Sequence, residues 1–175
     1  MTTLELLRIN LSTSHDAFSK TVADVTQENA DYVPPGIMHP IGERWAHLVM
    51  AEDMLLHNFV TQTTPLFAQD WAGRTGFAAD ITMLIAQTSD AARAFRVDDL
   101  NALREYMRAV FENTQSFINN ANPELLETNV DMSVIGYGQV PFPVWFSTFI
   151  VGHIHDVMGE ISALKGLQGL KGYPF

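Results

Sequence analysis

Apolar residues recur along this chain every three or four positions, which is the spacing of one face of an α-helix. The first stripe covers residues 3–27 and consists of Leu4, Leu7, Leu11, Phe18, Val22 and Val25. Tyr-Val-Pro-Pro-Gly at 32–36 then predicts a break. A second helix is predicted from Pro40 to Thr61, since proline suits the first turn of a helix.

The second half of the chain repeats this pattern. Further helices are predicted for residues 79–95, for residues 98–117 with an aspartate as cap, and for residues 141–167, with a short helical turn at Pro123. Residues 62–78 and 129–140 contain glycines and are predicted to be loops. No strand of useful length is predicted, and neither is a repeat or a linker. The expected fold is therefore a single all-α domain over residues 1–175, a four-helix bundle.

Charge and composition exclude several classes of function. The formal net charge is −10, and the basic residues form no cluster, so we expect no binding to nucleic acid. The chain has no cysteine, which excludes disulfides and a thiol nucleophile. No apolar run is long enough for a membrane span, and no signal peptide is visible. We expect a cytoplasmic protein.

Histidines on three predicted helices fall on the apolar face. His153 lies on the stripe with Ile150 and Val157, while His155 is turned away from it by about 200°. His47 shares a face with Met50 and Met54, and His15 shares one with Leu11 and Phe18. Metal sites in helix bundles are built from side chains on facing helices. The alternative is that each histidine is a hydrogen-bonded core residue, and for His15 this is the preferred interpretation.

Two glutamates lie near these histidines in the predicted helices. Glu43 precedes His47 by four residues, so it either supplies a carboxylate beside that ring or pairs with Arg44. Glu160 follows His153 by two turns, a rise of about 10 Å, which is too far for one ion to bind both directly. Glu160 is therefore expected to act through a water or to orient a ligand.

Three segments resemble the DinB-like superfamily of DinB/YfiT-type metalloenzymes. They are the Tyr-Val-Pro-Pro-Gly segment, the second-helix stretch Pro-Ile-Gly-Glu-Arg-Trp-Ala-His-Leu-Val-Met-Ala-Glu-Asp, and the terminal block from His153 to Phe175. The resemblance covers nearly the whole chain. It implies an up-down-down-up bundle with short extra helices in the connections, and a homodimer.

The resemblance also implies a metal site and a class of chemistry. Family members hold one divalent metal (zinc, nickel, iron or manganese) with three histidines, and some carry out thiol-cofactor-linked transfer or isomerisation. His47 and His153 match the first two ligands, but the third position is Val157, which cannot bind a metal. His15, Glu43 or Glu160 would have to complete such a site.

Two classes of function stay open at this point. The first is a metal-dependent, thiol-cofactor-linked transferase or hydrolase with a degenerate histidine triad. The second is a bundle that has lost the metal and either binds a small molecule between its helices or serves as a structural homodimer. The sequence assigns no catalytic residue and no substrate.

Overall fold

The computed structural model describes residues 1–79 and 89–174. Its regular elements are these, in chain order: α1 (Thr3–Thr21), α2 (Gln27–Asp31), α3 (Ile41–Leu56), a first π-helix (His57–Thr61), a 3₁₀ turn (Leu66–Ala68), α4 (Ser89–Ala94), α5 (Leu100–Asn119), a 3₁₀ turn (Pro123–Glu127), β1 (Asn129–Asp131), a 3₁₀ turn (Ser133–Ile135), β2 (Gln139–Pro141), α6 (Phe142–Trp145), a second π-helix (Phe146–Gly152) and α7 (His153–Leu167).

Four long helices form the bundle, which confirms the predicted all-α fold. α1 and α3 each pack against both α5 and α7. Large apolar side chains fill the centre, and these are fully buried: Leu11, Phe18, Ile41, Trp45, Met50, Leu103, Tyr106, Phe142, Trp145 and Phe146. Burial of this apolar surface stabilises the packed helices more than their individual propensities do.

The first helix is shorter than predicted. It ends at Thr21, and the apolar residues that follow, Val22 and Val25, are buried from a turn. A new helix starts after Thr26, whose hydroxyl accepts the Asn29 N–H at 3.3 Å while the Asn29 side chain accepts the Thr26 N–H at 3.2 Å. This reciprocal cap starts α2 and explains why the apolar stripe does not mean one continuous helix.

The predicted loop over residues 129–140 contains two short strands. β1 and β2 pair antiparallel, with Val130 opposite Val140. Each strand has three residues, which is too short for an alternating pattern to show in the sequence. Gly136 and Gly138 lie in the turn between them, with φ angles of 89° and 67°, a region that glycine enters without steric cost.

The two predicted helices that carry His47 and His153 each contain a π-helical segment. The predicted helix over residues 40–61 is α3 followed by the first π-helix, and the predicted helix over residues 141–167 is α6, the second π-helix and α7. The predicted helix over residues 79–95 falls largely outside the described residues, although Ser89–Ala94 are helical. No helix within the described parts of the chain has the length and apolar character to cross a membrane.

Candidate functional site: a histidine pair at an inter-helix cavity

His47 and His153 lie next to each other across two packed helices. His47 is in the second turn of α3, and His153 is the first residue of α7. Their ring centroids are 5.2 Å apart, and the ring planes cross at 85°. Both residues lie on the apolar face of their helix, as the sequence predicted. The contact between α3 and α7 brings the two rings together.

The two rings border a cavity of about 720 Å³. Its walls are mainly apolar, a combination that is typical of pockets for small molecules. The residues that line it are His47, Ala51, Met54, Leu55, Asn58, Phe59, Val134, Ile135, Thr148, Phe149, His153 and Asp156. The few polar groups on this wall therefore set the orientation of any molecule inside.

Both π-helical segments form part of the cavity wall. Asn58 and Phe59 come from the first segment, and Thr148 and Phe149 come from the second. A π-turn contains one residue more than an α-turn, so it rotates the side chains that follow it, and such turns are frequent at functional sites. The second π-helix ends directly before His153, and so it helps to set the direction of that ring.

The loop between β1 and β2 covers one side of the cavity. Val134 is 79% exposed and Ile135 is 48% exposed, yet both also line the cavity. The ring of Tyr137 packs edge-on against Phe149 with a centroid distance of 5.0 Å. That contact attaches the loop to the wall formed by the second π-helix.

Burial lowers the pKa of His153 below its usual value of about 6.5. The nearby Arg44 guanidinium acts in the same direction, whereas the carboxylates of Asp156 and Glu52 oppose it. The net effect keeps the imidazole neutral at neutral pH. A neutral imidazole offers one hydrogen-bond donor and one acceptor, and it is also the form that binds metals.

The described residues do not fit a metal centre with three protein ligands. Val157, at the position of the expected third ligand, is 3% exposed and packs in the hydrophobic core. Across residues 1–79 and 89–174, no group of three or more histidine, cysteine or acidic residues is arranged to hold a metal ion. The metal-ligand assignment of His47 and His153 stays a prediction.

His15 forms a different contact from the one a metal site would need. Its Nε2 lies 2.9 Å and 3.2 Å from the two carboxylate oxygens of Glu52. Its ring stacks on Phe111 with a centroid distance of 3.7 Å. Both His15 and Glu52 are buried. His15 is thus a hydrogen-bonded core residue, the preferred interpretation of its sequence position.

Glu43 and Glu160, the two glutamates considered in the sequence analysis, both lie close to the Arg44 guanidinium. The buried Glu43 carboxylate accepts hydrogen bonds from Arg44 at 2.5 Å and 2.9 Å, and it lies 3.0 Å from the His39 ring. Glu160 lies 3.6 Å from the same guanidinium. The pair with Arg44, one of the two arrangements open for Glu43, is formed.

The two histidines of the last helix have different surroundings, as their spacing predicted. His155 is exposed, and its Nε2 lies 2.9 Å from the Ser14 hydroxyl of α1. The sequence interpretation did not identify Asn58, Thr148 and Asp156 as cavity residues. Asp156 follows His153 by three positions and could have been found from helical spacing, whereas the other two depend on the π-turns.

Four packed helices with a histidine pair at a cavity between them define a helix-bundle protein with an internal pocket. The chain belongs to the DinB superfamily, whose family model matches residues 10–156. It is also similar to the crystal structure of a conserved protein from Enterococcus faecalis, with a TM-score of 0.78 and 19% sequence identity over 97% of this chain and 99% of that chain. No curated protein sequence matches it.

Proposed function

We propose that this protein binds a small, mostly apolar molecule in the cavity between α3 and α7, with His47 and His153 binding its polar head. The observation that carries the proposal is the position of the two rings, 5.2 Å apart, at a cavity of about 720 Å³. This volume lies within the usual range for ligand pockets. Membership of the DinB superfamily supports the helix-bundle fold and is compatible with ligand binding in the cavity.

The surroundings of the histidines favour an uncharged head group. The apolar wall makes burial of an isolated charge costly, and Asp156 at the edge repels an anion. A neutral His153 can donate to a carbonyl or accept from a hydroxyl, amide or thiol. The proposed ligand class is therefore a chain or ring of apolar carbons that carries one such group.

A panel of probes with one apolar chain and different heads tests this proposal. We would measure binding of octanol, octanamide, octanethiol, octanoate and octylamine by calorimetry. The uncharged members should bind more tightly than the two charged ones. His153→Ala should weaken the best probe by about tenfold, the value of one hydrogen bond of about 1.4 kcal/mol.

His155→Ala is the matched control, because His155 lies on the same helix and faces away from the cavity. It should leave the affinity for every probe unchanged. Equal effects of the two alanine variants, or equal binding of charged and uncharged probes, would contradict the proposed site.

A metal-dependent enzyme is the second candidate, and the same pair of facing rings favours it. His47 and His153 would be the ligands from the protein, and a bound divalent metal would supply Lewis-acid chemistry for a thiol-linked transfer or hydrolysis. Open catalytic sites for zinc have three protein ligands, and the described residues bring two together here. The binding function therefore has the better support.

A further inference from the structure

A second cavity lies on another side of α3, where that helix and α5 both end. It has a volume of about 450 Å³ and shares no lining residue with the histidine-pair cavity. Its lining consists of Leu56, His57, Thr61, Thr63, Asn113, Ser116, Phe117, Asn120 and Ala121. Six of these nine side chains can form hydrogen bonds, so this wall has a larger polar share than that of the first cavity, although most of its surface is apolar.

His57 is fixed in this wall by one of its two ring nitrogens. Nδ1 lies 2.7 Å from the backbone oxygen of Asp53 and 2.9 Å from its carboxylate. The Asp53 carboxylate also accepts the Tyr106 hydroxyl at 2.7 Å, so it is held in place from a second helix. The other ring nitrogen, Nε2, lies 3.4 Å from the side-chain amide of Asn113 at the cavity. The imidazole is thus oriented before any ligand arrives.

The charge balance of this cavity favours a neutral ligand. The hydrogen bond that His57 donates to Asp53 raises the pKa of His57 against the opposing effect of burial, and the Asp53 carboxylate compensates the positive charge. α5 ends here, and Arg8 compensates the partial negative charge of its C-terminus by donating to the Ile118 and Ala121 oxygens at 3.0 Å and 3.5 Å. The described lining residues include no carboxylate to hold a cation.

The lining offers what a hydroxyl-rich molecule needs. Asn113 and Ser116 on α5, and Asn120 directly after it, follow one another at intervals of three and four residues and provide donors and acceptors. The Asn120 amide also donates to the Ser116 backbone oxygen at 2.8 Å. The ring of Phe117 adds an apolar surface, and its electron-rich face attracts the C–H groups of a sugar ring.

We propose that this cavity is a second binding site, for a small uncharged molecule of the monosaccharide or polyol class, with His57 and Asn113 as its central hydrogen-bonding groups. The site lies apart from the histidine-pair cavity, and the proposal does not depend on the function assigned to that cavity. His57 is a binding residue here, and Asp53 is the residue that positions it.

Nuclear magnetic resonance of the His57 ring and the Asn113 amide nitrogens tests this site. We would titrate the protein with glucose, galactose, ribose and glycerol, and separately with phosphate and acetate. At least one neutral compound should shift both signals saturably. Asn113→Ala should weaken that binding by about tenfold, and Asn120→Ala should weaken it as a second variant.

Asn119→Ala is the control, because Asn119 lies at the end of the same helix and outside the cavity lining. It should bind the neutral compound as the wild type does. The proposal is overturned if no neutral compound gives a saturable shift, if phosphate or acetate binds more tightly, or if both cavity variants behave like the control.

Discussion

Val157 is the residue that separates this chain from a three-histidine metal site. It follows His153 by one helical turn, so a histidine there would lie on the same face of α7. We expect Val157→His to bind zinc about a hundredfold more tightly than the wild type does, because a third ligand is added. Calorimetric titration with zinc would measure both affinities.

Val157→Asn is the control for this substitution, because it introduces polarity without a good zinc ligand. It should bind zinc no more tightly than the wild type. A wild type that already binds zinc as tightly as Val157→His would show that the site is complete without position 157.

His57 should contribute to stability in a pH-dependent way. Its pKa is raised in the folded state, chiefly by the hydrogen bond to Asp53. Its stabilising effect is therefore fully present below about pH 6.5, the usual value, and is lost as the pH rises through the raised folded value. His57→Gln should reduce the free energy of unfolding more at about pH 6 than at about pH 9.

Urea unfolding of wild type and variant at both pH values would measure this difference. Other titrating groups are shared by the two proteins and cancel to first order. An equal loss at both pH values, or a larger loss at about pH 9, would show that the folded protein does not hold the extra proton.

Gly76 controls the packing of the loop after the first π-helix against the start of α5. Its oxygen accepts the N–H groups of Asp98 and Asp99 at 2.8 Å and 3.0 Å, and its φ is 84°. A Cβ atom here would collide with the Asp99 oxygen and would lie 2.6 Å from the Leu103 nitrogen. Gly76→Ala should therefore cost about 3 kcal/mol or more of stability, by strain and steric overlap together.

Gly73→Ala separates those two causes. Gly73 also has a positive φ, 69°, but no atom lies within 4 Å of the Cβ position. We expect that variant to lose about 1 to 2 kcal/mol, the cost of the left-handed conformation alone. Equal losses in the two variants, measured by urea unfolding, would show that the close approach to α5 is not important.

At the scale of elements, the sequence predicted what depends on regular spacing. The bundle helices and the inward faces of His47 and His153 follow from apolar stripes with helical period. The π-helices, the end of α1 and the three-residue strands could not be predicted that way, because each changes the phase or length of a pattern locally. The two rings are neighbours because α3 packs on α7, and this contact between helices cannot be deduced from the spacing of residues within one helix.

The pair formed by Asp53 and His57 had a visible signal that the sequence interpretation did not use. The two residues are four apart in one predicted helix, a spacing that places their side chains on neighbouring turns. What the sequence could not show is that both are buried, and that Tyr106 and the backbone N–H groups of Leu66 and Phe67 also bind Asp53. Those partners lie on other elements.

At the scale of the whole molecule, the expected homodimer stays a prediction. Several exposed apolar side chains offer contact area, among them Val144 of α6 and Leu167 at the end of α7, which are 53% and 59% exposed. Sedimentation equilibrium would measure the mass in solution. A dimer requires twice the 19.5 kDa of one chain, and a monomer at every concentration would contradict the expectation.

The two candidate functions of the histidine-pair cavity differ most directly in metal content. We would purify the untagged protein without chelator or added metal and measure zinc, nickel, iron and manganese by mass spectrometry. Binding of a small molecule by the two rings predicts well below one equivalent of metal per chain. About one equivalent, lost in both His47→Ala and His153→Ala, would contradict that account and favour the metal-dependent enzyme.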